Sequence, residues 1–195
     1  MQFSSHPDTA AYEKWVSFLG NVYVVAAQGV NNTALLYQHQ AILRANGLAP
    51  APLLTKAVLR SPAMIMYLNL QQSRVGAPNE NFARELMELF TLGVGNYTED
   101  DVKAGARAFT GYRQRAGRFF FAPRLHDRGA KTFLGHTGNF DGDDVIDLIY
   151  RQKAASTHLP ARLTQYYLTA DPLPAAHLEA LGAWWASTGY GLRDL

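Results

Sequence analysis

Apolar residues recur at i, i+3, i+4 and i+7 through most of this chain, and short Gly- or Pro-marked turns separate the periodic stretches. That recurrence is the buried stripe of an amphipathic helix, and brief turns between such stripes are the connections helical bundles use. The expected fold is therefore all-α, a multi-helix bundle. Helices are predicted over 9–28, 32–46, 51–60, 62–70, 79–92, 99–110, 142–153, 156–168 and 174–187. Two runs rich in β-formers do not fit, Arg118–Phe121 and Lys131–Leu134. They lie about ten residues apart and predict one short β-hairpin inserted near 118–134. The 195 residues are read as a single domain.

Composition excludes several classes. The longest apolar stretch, Trp15 to Val30, is broken by Ser17, Gly20, Asn21 and Gln28, so no membrane span is expected. The start MQFSSHPDTA lacks a basic segment followed by an apolar core, so no signal peptide is expected in it. With no cysteine there is no disulfide framework, thiolate metal site or cysteine nucleophile. GxSxG, GxxxxGK[ST] and GxGxxG are all absent, and no cofactor is expected.

Net charge is +2, from 18 Lys+Arg against 16 Asp+Glu, too balanced to point to a nucleic-acid partner. The distribution says more. Arg113, Arg115, Arg118, Arg124, Arg128 and Lys131 face one acid, Asp127, across 113–131, so that segment carries +5 and the rest of the chain −3. Tyr112, Phe119, Phe120 and Phe121 interleave the cations, as on surfaces that bind polyanions or glycans. Equally, alternate Phe residues can pack inward while the arginines solubilise an exposed edge.

One device occurs twice, at Gly95–Val102 and Gly138–Val145. Thr98 and Asp141 read as N-caps, with acids following at the positive end of each helix dipole. This capping reading outweighs a calcium loop at Asp141–Asp144, which lacks alternating ligands and a terminal Glu.

Pro78–Gly93 carries the densest chemistry. Helical spacing puts Phe82, Leu86, Leu89 and Phe90 on a buried arc, with Glu80, Arg84 and Glu88 opposite as an ion-pair ladder. Gly93 supplies the stop. Glu85 projects at the edge of the buried face, where a carboxylate must be paired or shifted in pKa. It is either in an ion pair with an arginine such as Arg107 or Arg84, or a general acid/base or metal ligand that Asn81 orients. Downstream, His126 and Asp127 sit in the predicted hairpin loop, where such a pair builds a metal ligand with its second shell, a general base, or a hydrogen-bonded anchor that pins the hairpin. With no paired-histidine spacing, no zinc site is expected.

The stretches PNENFARELMELFTLGVGNYTEDDV, HDRGAKTFLG and GDDVIDLI resemble a bacterial family known only as domain of unknown function 1800. Weaker similarity runs through Arg44, Ser61–Met64 and Tyr67-Leu68, and through Thr188–Tyr190. Family members are often longer and exported, so the resemblance implies the central portion of a periplasmic or secreted protein. A second exported protein encoded nearby is the partner it implies. Many members carry Trp-His-Asn-His where this chain has Trp15-Val16-Ser17-Phe18, so any metal site using those histidines is incomplete here. Tyr112 stands for a usual tryptophan, and Gln152-Lys153 for Gln-Pro.

Two readings of function follow. The first is a binding or scaffold module that presents the basic hairpin to an anionic ligand or glycan, with Asn79, Asn81, Arg84, Arg118, Arg124 and Arg128 as binding candidates. The second is a hydrolase with Glu85 as acid/base, His126 and Asp127 as a polar or metal-binding pair and Lys131 stabilising developing negative charge.

Overall fold

The computed structural model describes residues 7–195, with side chains from Thr9 onward, and is 59% helix and 10% strand. The helix predicted over 9–28 divides into α1 (Pro7–Val22) and a single turn, α2 (Ala27–Val30). A tertiary bond stands at the break: the Tyr23 carbonyl that would continue the helix accepts from His39 Nε2 at 3.0 Å. Then follow α3 (Thr33–Asn46), α4 (Ala51–Leu59) and α5 (Pro62–Tyr67). Next, α6 (Glu80–Glu85) runs directly into a π-helical turn, Leu86–Thr91, that Gly93 ends at φ 80°. After α7 (Glu99–Ala108) come the strands, then α8 (Gly142–Ile149), α9 (Lys153–Tyr167) and α10 (Ala175–Ser187).

A contiguous core draws on nearly every element, with Leu19, Leu43, Leu54, Met64, Phe82, Phe109, Phe133, Ile149 and Trp185 all buried. Gly105 of α7 sits at a tight point in it. A Cβ there would lie 3.2 Å from the Ala83 methyl and 3.4 Å from the Phe133 ring. The stretches around Phe82, Lys131 and Gly142 therefore converge on α7 by packing: Phe82 stacks edge-on to Phe109 at 4.9 Å, and Phe109 on Tyr112 at 5.4 Å.

The single hairpin expected near 118–134 is corrected to two. Strand β1 (Tyr112–Arg115) pairs antiparallel with β2 (Arg118–Phe121), and β3 (Lys131–Phe133) with β4 (His136–Gly138). Each run therefore pairs with its immediate neighbour. The reason lies in two-residue turns, Ala116-Gly117 and Leu134-Gly135, in which all four residues have positive φ (49°, 72°, 46° and 78°). That geometry matches the twist of a tight hairpin and is usually signalled by Asn-Gly or Asp-Gly, which these turns lack.

Both predicted caps form. Thr98 accepts from the Asp101 amide while Asp101 accepts from the Thr98 amide, and Asp141 with Asp144 repeats the arrangement. Asp101 does more, since its other oxygen accepts from the amide of Leu134 at 2.6 Å and ties the β3–β4 turn to α7. Thr98→Ala and Asp141→Ala should each cost about 1 kcal/mol, read from urea denaturation midpoints. Unchanged midpoints in both would remove the paired-cap account. Among the described residues, no helix is long and apolar enough to cross a membrane.

Candidate functional site

Burial removes two cations from the basic segment. Arg113 donates to the carbonyls of Leu70 (3.2 Å) and Tyr112 (2.9 Å). Burial, with Arg74 beside it, lowers its pKa. Lys131 is 2% exposed, and its Nζ donates to the carbonyls of Asp127 (2.7 Å) and Gly129 (3.0 Å) and to Asn139 Oδ1 (3.4 Å). Burial also lowers its pKa. Arg115, Arg118, Arg124 and Arg128 remain exposed, and among the described residues none of their side chains has a hydrogen bond or ion pair. Arg44, Arg60, Arg84 and Arg107, by contrast, each hold a carboxylate.

Register sets what this hairpin presents. Tyr112 lies opposite Phe121 and Gln114 opposite Phe119, so by alternation Arg113, Arg115, Arg118 and Phe120 share the other face. Phe119 packs on Tyr112 at 5.3 Å with the Arg60 guanidinium 5.8 Å above it. Phe120 and Phe121 stay 43% and 40% exposed. Arg115 and Arg118 are direct cross-strand partners beside the turn. Like charges so placed oppose pairing.

His126 and Asp127 are held by α7 and its C-terminal turn. His126 Nδ1 lies 3.0 Å from the Thr110 carbonyl, and its ring meets Phe121 edge-on at 5.2 Å. Asp127 takes both Arg107 nitrogens, at 2.7 and 3.2 Å, and the Gly129 amide at 2.8 Å. Chiefly through the Arg107 hydrogen bond, its carboxyl falls to about 2.

The π turn shifts the side chains it carries away from their straight-helix positions. Its wider turn rotates each residue less, so Met87 is buried where Leu89 was expected, and Leu89 is 39% exposed. Glu88 likewise leaves the ladder: it accepts from the Tyr97 hydroxyl at 2.9 Å. Arg84 binds Glu99 through two bonds, at 2.6 and 2.8 Å, with Glu80 at 3.7 Å. Asn79 is the N-cap of α6, accepting from the Asn81 amide and donating to the Asn69 carbonyl.

Glu85 pairs with neither Arg84 nor Arg107. It lines a groove of about 310 Å³ with Val24, Tyr67, Leu68, Asn81, Leu89 and Phe90. Burial, with Glu88 adding to it, raises its carboxyl pKa against the pull of Arg84. His126, Asp127 and Lys131 are not among the lining residues. Periodicity could find Glu85 but not Tyr67 or Val24, which come from distant segments. Nor could it find Arg74, whose neighbour Val75 donates to the Leu125 carbonyl and places it by the basic loop.

Among the described residues, no three His, Asp or Glu converge as a metal cage would. No curated protein and no solved structure matches the chain. Residues 4–195 match the family described as protein of unknown function (DUF1800), and the chain belongs to that family.

Proposed function

We propose that this chain is a binding module that holds an acidic polysaccharide on the β1–β2 hairpin and the loop after it. The observation that carries the reading is the Arg115–Arg118 cross-strand pair, two like charges with no carboxylate to balance them. An anion between them turns that repulsion into attraction, and Phe120, exposed on the same face of the hairpin, offers a ring on which a sugar stacks. Arg124 and Arg128 extend the positive field along the loop, while Arg113 and Lys131 hold its framework from inside. In this reading the module works in the cell envelope, the setting its family resemblance implies.

The test is affinity electrophoresis through gels containing polygalacturonate. Wild-type protein should be slowed in low salt and released as salt is added, because the field of such a patch fades beyond about 8–10 Å at physiological ionic strength. Arg118→Glu, Arg124→Glu and Arg128→Glu together take segment 113–131 from +5 to −1 and should abolish retardation. Lys14→Glu, Arg151→Glu and Arg193→Glu make the same total change at exposed positions elsewhere and should not. Equal loss in both triple variants, or no retardation of the wild type, would sink the proposal.

A further inference from the structure

The groove beside the π turn has a chemistry of its own, opposite in sign to the hairpin. Among the described residues, Glu85 is the partly buried carboxylate that has neither a hydrogen bond nor an ion pair. The arginine one residue before it is held by Glu99. Two further residues with polar side chains line the groove, Asn81 and Tyr67, and neither side chain has a hydrogen bond among the described residues. The walls are otherwise apolar: Leu68 and Phe90 are buried, and Val24 and Leu89 stand on the rim, 37% and 39% exposed. One wall is braced from outside, because the Leu89 carbonyl accepts from His158 Nε2 and Arg162, both at 2.9 Å.

We propose that this groove binds an organic monocation, a primary ammonium carried on a small apolar body. An ammonium has three N–H donors and no acceptor, which suits a carboxylate, a carboxamide oxygen and a phenol oxygen around one space. Its charge neutralises Glu85 through a charge-assisted hydrogen bond, and the Tyr67 and Phe90 rings favour a cation near their faces. Its apolar body covers Val24 and Leu89. A divalent metal ion fits less well, since it requires several oxygen ligands and Glu85 is the one carboxylate in the lining.

The probe is benzylammonium, compared with benzyl alcohol, which has the same shape and no charge, by NMR titration of the whole chain. For so small a ligand, saturation is expected in the millimolar range, with shifts at Tyr67, Leu89 and Phe90. The alcohol should bind about tenfold more weakly, and Glu85→Gln should weaken the amine about tenfold. Asn81→Ala, an exposed change, should weaken it by a smaller factor. No saturable shift at these residues, or equal affinity for amine and alcohol, would overturn the site, and that comparison needs only the wild-type chain. The hairpin triple variant should bind benzylammonium normally, so failure of one proposal leaves the other to be read separately.

Discussion

Lys131→Ala is expected to destabilise the protein by about 4 kcal/mol, the sum of a buried truncation and of carbonyls left without a donor. The side chain is almost wholly enclosed, and its ammonium reaches two backbone carbonyls of the Asp127–Gly129 loop. Lys131→Met keeps the stem and loses only the donors, so about half the loss is expected from it. Urea unfolding of both variants gives the comparison. A midpoint unchanged in Lys131→Ala would mean that the amine is free for chemistry, and would return the hydrolase reading to consideration.

Acidification below the ordinary histidine range should lower stability steeply, and His39 is the main reason. Both ring nitrogens are engaged inside the core, Nδ1 with Ser61 Oγ and Nε2 with the Tyr23 carbonyl, each at 3.0 Å. Burial holds its pKa below the 6.5 of the unfolded chain. Below that value the unfolded state takes up a proton the folded state refuses, so stability is full above it and declines as pH falls toward the lower folded pKa. His158 adds in the same direction, since burial lowers it too. A second decline follows in stronger acid. Asp127, at about 2 when folded against 3.8, loses its contribution as pH falls through that interval. His39→Leu should remove much of the first decline while costing about 3 kcal/mol near pH 7, because Ser61 and the Tyr23 carbonyl lose their partner. Identical pH profiles for wild type and variant would show that His39 does not control the transition.

Features written within a few residues are legible in the sequence alone. The Thr98 and Asp141 caps are four-residue devices whose partners are their own neighbours, and both form. Hairpin pairing is not legible in the sequence because Ala116 and Leu134 adopt left-handed backbone that only their following glycines advertise. The Arg107–Asp127 pair joins residues 20 apart in sequence, with two hairpin strands between them, and charge spacing on one helix gives no hint of it. Most consequential was the turn after Glu85. Straight-helix periodicity places Leu89 inside and Glu88 beside Arg84, and a widened turn reverses both while leaving the apolar pattern plausible.

That widened turn is also a matter of chain length. A π turn closes its hydrogen bond over one more residue than an α turn, as when the Leu92 amide reaches back to the Met87 carbonyl at 2.8 Å. The segment is thus one residue longer than a regular helix between the same ends would need. Deleting a single residue within 86–91 would let α geometry resume, swing Leu89 into the core and erase the groove wall it forms. The groove therefore exists by virtue of one surplus residue. A one-residue deletion variant would keep the bundle, the caps and the pinned loop, yet carry no groove at Glu85.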